Sequence, residues 1–222
     1  MRDAFHDQLE TVFSDLAGMC RRVETAVGEA TQSLLEADAE IAERVISNDA
    51  EIDKIRERIE EMCFELLSLQ QPVAGDLRIV ISALRMVSEL ERMGDLSVHV
   101  AKIARLRVPA VAVPDQARET VEKMADTAED MVARVSQIIT RRDVEAAIEL
   151  GRDDEVMDQL RRRSFSELLS DDWQHGVEAA VDIALLGRYY ERIADHAVSV
   201  ANRVVFVVTG ENPRDESTSR AS

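Results

Sequence analysis

Along most of the chain apolar residues recur at three- and four-residue intervals, the period of a helix, and long stretches pass without a helix breaker. The breaks are few. Pro72 lies in Gln70-Gln71-Pro72-Val73-Ala74-Gly75-Asp76, Pro109 and Pro114 bracket a stiff segment near the midpoint, and Pro213 opens a polar tail rich in Ser and charge. Softer breaks fall at Ala37-Asp38 and at Asp143, where each Asp is suited to cap a helix N-terminus. Together they predict helices near 4–35, 38–70, 75–106, 116–141, 143–170 and 175–209. The expected fold is all-α: two tandem, similar, antiparallel three-helix bundles. Residues 1–107 form the first, 108–115 a Pro-containing linker, 116–210 the second, and 211–222 a disordered tail.

The two bundles read as copies of one unit. Ser88–Ala104 (S-E-L-E-R-M-G-D-L-S-V-H-V-A-K-I-A) aligns with Arg188–Val204 (R-Y-Y-E-R-I-A-D-H-A-V-S-V-A-N-R-V) at a spacing of 100, pairing Glu91 with Glu191, Arg92 with Arg192 and Asp95 with Asp195. The preceding helices align at a spacing of 105, pairing Asp38 with Asp143, Asp49 with Asp154 and Asp53 with Asp158.

Composition sharpens this picture. The 222 residues carry 27 Lys+Arg against 44 Asp+Glu, a formal charge of −17, which argues against nucleic acid or an anionic membrane as a direct ligand. Aromatics at 4%, with 8 Gly and 4 Pro, disfavour strands and tight turns. Cys20 and Cys63 sit in apolar periodic stretches without metal-ligand spacing, and are expected to be buried thiols. No apolar run approaches the ~20 residues of a membrane span, and the first residues lack the apolar core of a signal peptide, so the expected location is the cytoplasm.

Candidate chemistry rests on four carboxylate pairs at i, i+4: Asp49/Asp53 and Glu91/Asp95 in the first copy, Asp154/Asp158 and Glu191/Asp195 in the second. Such spacing puts both acids on one helix face. Glu91 and Asp95 interrupt an apolar stripe of Leu77, Val80, Leu84, Val87 and Val98, and Glu191 and Asp195 share a face with Val177, Ala180, Ala184 and Val198. Ionised carboxylates in such surroundings need a cation. Either an arginine supplies it, with Arg85, Arg92, Arg188 and Arg192 nearby, or a metal does, in which case all-oxygen ligands favour Mg²⁺, Mn²⁺ or oxidised iron. Arg92 and Arg192 follow their Glu directly and point about 100° away from it. Gly94 and Ala194 stand where a di-iron Glu-x-x-His motif would need His, and no phosphate loop, nucleophile elbow or Cys-x-x-Cys is present. No enzyme activity is expected.

The motifs Q-Q-P-V-A-G-D-L-R (70–78), E-R-M-G-D (91–95) and Y-Y-E-R-I-A-D-H-A (189–197), ahead of V-V-T-G (207–210), resemble the PhoU family, accessory proteins of phosphate-specific transport. The resemblance runs from about residue 4 to 210, in order and duplicated. It implies a cytoplasmic homodimer that restrains phosphate uptake and the phosphate-starvation response. The implied partners are the ATPase of the phosphate ABC transporter and the sensor histidine kinase of the phosphate regulon, with membrane contact only through them. It also implies metal binding by the eight carboxylates Asp49, Asp53, Glu91, Asp95, Asp154, Asp158, Glu191 and Asp195, and leaves the D-L-R residues Asp76 and Arg78 open between structure and partner contact. The alternative reading of the same carboxylates is a metal-binding protein or metalloenzyme. Ala194 where a Gly is common, and Leu96 opposite His196, put the equality of the two sites in doubt.

Overall fold

A computed structural model describes residues 2–211. It contains six helices: α1 (Arg2–Glu36), α2 (Ala39–Gln70), α3 (Gly75–Arg107), α4 (Asp115–Arg141), α5 (Val144–Leu168) and α6 (Gly176–Thr209). The expected boundaries agree to within a few residues. The expected disordered tail lies, from residue 212 on, outside the described residues.

The start signals are those the sequence offers. The Asp38 carboxylate accepts from the Glu40 and Ile41 amides at 2.8 and 3.0 Å, and Asp143 accepts from Ala146 at 3.0 Å. Each cap stabilises its helix by about 1 kcal/mol. The residues before them, Ala37 and Arg142, have φ of 55° and 52°, so the left-handed turn repeats as the caps do. α4 starts directly after Pro114, whose fixed φ suits a helix entrance.

Packing makes the two copies one body. α1 packs on α2, α3 and α4, and α6 packs on α3, α4 and α5. The helices α1, α3, α6 and α4 therefore close a central ring, with α2 flanking one side and α5 the other. A single core runs through both copies, from Leu16, Met19 and Leu34 on α1 to Leu90 and Met93 on α3, Met124 and Ile138 on α4 and Tyr190 and Val204 on α6. No helix among the described residues is long and apolar enough to cross a membrane.

The apolar stripe that carries Glu91 and Asp95 is only partly covered. Ala83, Met86, Leu90, Met93 and Val100 are the fully buried face of α3, whereas the acid-bearing stripe lies at the margin of the core: Leu77 is exposed and Leu84 half-buried, with Val80 and Val87 still inside. On α6 the corresponding stripe is more open, with Val177 exposed and Ala180 and Ala184 half-buried. The reason is that α3 and α6 each touch three neighbours, and a stripe at the rim of those contacts is covered by only one of them.

Polar links cross between the copies. Tyr190, fully buried, shares a hydrogen bond of 2.9 Å with Thr31. Arg107, at the end of α3, donates to Asp182 at 2.6 Å and to Glu178, both near the start of α6. At the opposite end Arg78 donates to the Val207 carbonyl at 3.3 Å, with its guanidinium 5.7 Å over the Phe206 ring. Gly210 closes α6 with a φ of 82°, a conformation in which a side chain would be strained. In the 100-residue register Arg78 corresponds to Glu178 and Arg107 to Val207, so the two staples are one contact seen from either copy.

Tyr190→Ala is expected to cost about 3–5 kcal/mol of unfolding free energy, and Tyr190→Phe, which removes only the hydroxyl, about 1 kcal/mol. Equal losses in urea denaturation would contradict this packing. Burial pushes the Cys20 and Cys63 thiols up to about 12. Iodoacetamide at mildly alkaline pH should therefore leave both unmodified in the folded protein and alkylate both in denaturant.

Candidate functional site

The eight carboxylates fall into two groups in the grooves between α2 and α3 and between α5 and α6. In the first, burial and the repulsion of Asp95 and Asp53 push the Asp49 carboxyl above its ordinary range. Burial, with Asp95 again the leading repulsive charge, does the same to Glu91. In the second, burial raises Asp154, with repulsion from Asp195, Asp158 and Glu191, and burial and Glu191 raise Asp195. The acids of each copy thus lie close enough across the helix pair to repel one another. Asp53 and Asp158 lie toward solvent, and Glu57 and Glu61 continue the α2 stripe onto an exposed face.

The cations beside them include one that the sequence singles out, Arg188, and two that it does not. Arg85, Arg92 and Arg192 are exposed, Arg92 reaching only Glu89 at 4.0 Å. Arg188 is close, at 2.5 Å from Glu191. The arginines that matter most are Arg56 and Arg161, on the facing helices α2 and α5. Arg161 binds Glu191, which is only 7% exposed. Arg56 pairs with Glu60 at 3.0 Å, Asp53 at 3.6 Å and Glu57 at 3.7 Å, and acts on Glu91 through space. The signal that identifies them is in the sequence: the 105-residue register that relates Asp49 to Asp154 also places Arg56 on Arg161.

The all-oxygen donor set suits a hard divalent cation. As arranged, however, no three His, Cys, Asp or Glu side chains among the described residues are grouped so as to hold an ion. In the second copy the guanidinium groups already occupy the Glu191 oxygens. A pocket of about 140 Å³ opens beside the first group, lined by Arg22, Ala26, Asn48, Asp49, Ile52 and Gly94 among others. Gly94 keeps it open, since a Cβ there would stand 3.1 Å from Ile52 Cδ1 and 3.6 Å from Asp49 Oδ1.

Other histidine, tryptophan and arginine side chains make packing and hydrogen-bond contacts. His99 stacks on Tyr189 at 5.3 Å, and Trp173 donates to the Gly176 carbonyl at 3.0 Å. His196 joins Glu89 of the other copy at 2.6 Å. Arg78 sits on the end of α6, which gives the D-L-R arginine a structural function, while Asp76 lies in the first turn of α3.

Comparison with known proteins agrees with the duplicated architecture. The model of the PhoU domain matches residues 16–104 and again 121–204. The chain is 45% identical over 213 residues to phosphate-specific transport system accessory protein PhoU homolog 2 of Mycobacterium tuberculosis, covering 96% of this chain and 100% of that one. It is 44% identical over 217 residues to PhoU homolog 1 of Mycobacterium leprae, covering 98% of each. The crystal structure of PhoU from Pseudomonas aeruginosa superposes with a TM-score of 0.85 at 30% identity, covering 93% of this chain and 100% of that one. The phosphate transport system regulatory protein PhoU from Streptococcus pneumoniae gives the same TM-score at 28% identity, over 94% and 98%.

Asp49 and Glu91 titrate higher in the folded chain than unfolded, so they favour folding below the ordinary carboxylate range and lose that contribution as pH rises through their native values. At pH 7 both are ionised and oppose folding. Asp49→Asn or Glu91→Gln should therefore raise stability by about 0.5 kcal/mol near neutrality, a gain that fades as pH falls toward about 4. Glu191→Gln should act oppositely and cost about 1–3 kcal/mol, because it strips a buried acceptor from two arginines. Denaturation curves at pH 7 read both signs, and the same sign for both would contradict the assignment.

Proposed function

The chain belongs to the PhoU family, and from that premise we propose that it regulates phosphate transport as a protein-docking adaptor rather than as an enzyme. The relatives at 45% and 44% identity are named accessory proteins of the phosphate-specific transport system, and they match this chain almost end to end. The observation that carries the adaptor reading is the disposition of the chemistry. The deep core is apolar, and the titratable groups lie in grooves and on faces, part of them engaged in ion pairs, with no three metal-ligating side chains among the described residues grouped to hold an ion.

In this reading the chain works in the cytoplasm as a homodimer, and meets the membrane only through its partners. It restrains phosphate uptake and the phosphate-starvation response by docking on the transporter ATPase and the sensor histidine kinase. An acidic surface of net charge −17 suits basic docking faces on both. The same carboxylates support a second reading, in which a Mg²⁺, Mn²⁺ or iron ion relieves their mutual repulsion. The raised carboxyls of Asp49 and Glu91 favour it, since a cation binds best where ionised acids repel one another.

The adaptor reading is tested by affinity capture of the tagged full-length chain from its own cells, grown in high and in low phosphate. Mass spectrometry should recover the transporter ATPase or the sensor kinase, more of it in high phosphate. Capture of neither in either condition would contradict the reading.

A further inference from the structure

The two copies of the carboxylate group differ at matched positions, and three of the differences bear directly on the arginine they share. Ser88 of the first copy corresponds to Arg188 of the second, Glu57 to Arg162, and Glu60 to Phe165. The consequence for the shared arginine is direct. Arg56 is held back along α2 by Glu60, Glu57 and Asp53. Its counterpart Arg161 meets Phe165 where Arg56 meets Glu60. The ring lies 5.5 Å from the Arg161 guanidinium, supporting the side chain without neutralising it. Arg161 is thereby free to reach across to α6, where it and Arg188 take one oxygen each of the buried Glu191 carboxylate. Volume follows charge. At the places of Ala26 and Gly94, which border the first-copy pocket, the second copy carries the larger Met131 and Ala194, both buried.

We propose that in the second copy Arg161 and Arg188 hold the Glu191 carboxylate that a metal ion would need beside Asp154, Asp158 and Asp195, so that this half of the protein does not bind a metal. A guanidinium fork is a permanent cation, always charged, and its fixed geometry matches a carboxylate. A divalent ion would have to displace two such groups from a carboxylate that is nearly out of water, which costs more than filling an unpaired site. The inference concerns the second copy alone and holds whether or not the first copy takes a metal.

The test uses the full-length chain carrying Asp49→Asn and Glu91→Gln, which removes the first group isosterically. Depletion of free Mn²⁺, read by electron paramagnetic resonance at roughly millimolar MnCl₂, should show no bound ion in this protein. Adding Arg188→Ser, the residue the first copy already carries, together with Arg161→Gln, should create Mn²⁺ uptake that a further Asp195→Asn abolishes. Circular dichroism checks the helical fold of each variant, and Arg188→Ser alone decides the matter if the combined variant does not fold. Mn²⁺ bound while both arginines are present, in an Asp195-dependent way, would overturn the proposal. So would a folded variant without the arginines that still takes up none.

Discussion

The antiparallel contact of α3 with α6 is the constraint on which the rest of the structure depends. It brings the two copies together about an approximate two-fold, and buries Leu90 and Met93 of one beside Tyr190 and Ile193 of the other in a single core. The staple of Arg107 on Asp182 and Glu178 at one end, and of Arg78 on the end of α6 at the other, fixes the register between the two helices. Because α3 and α6 are spoken for on their inner faces, their acid-bearing stripes are turned to the outer grooves, where only α2 and α5 cover them. A three-helix unit alone would leave the inner faces of α1 and α3 exposed, so the duplication is a requirement of burial as much as a record of repetition.

Half-burial explains the chemistry of the grooves. A carboxylate in water needs nothing, and a carboxylate in the core would rarely remain charged without a partner. At the rim each acid is covered enough to feel its neighbours, which is why Asp49, Glu91, Asp154 and Asp195 all titrate high. The two copies meet this in different ways. Glu191 is relieved by two arginines, whereas the arginine nearest Glu91 is engaged along its own helix. A protein built as a pair of similar halves thus offers two faces of different charge balance.

Most of the fold is legible in the sequence because the chain has so few breakers. Pro72, the Pro109–Pro114 segment, Asp38 and Asp143 each stop or start a helix for a local reason, and local reasons survive without tertiary information. The repeat also places the eight carboxylates on facing helices. What the sequence conceals is which cation each acid finds. Arginine reaches far from its Cα, and its choice among Glu60, Glu57 and Glu91 depends on neighbours one turn away and on a second helix. Proximity in sequence favours Arg85, Arg92 and Arg192, which face solvent, over Arg56 and Arg161, which do not adjoin the Glu in the chain. The extent of burial along the acid stripe is hidden for a related reason: periodicity reports that a face is apolar, and not how many neighbours cover it. The buried Asp182, whose counterpart is Ser82, leaves no periodic signal at all.

The central claim is that this chain restrains the phosphate response. The most direct measurement is a transcriptional reporter of phosphate starvation in a strain lacking every PhoU gene, grown in phosphate-replete medium with and without this chain restored. The account predicts a reporter that is on without the chain and silenced when it returns. A reporter that is already silent in the deleted strain, or that stays on after the folded protein is restored, would contradict it.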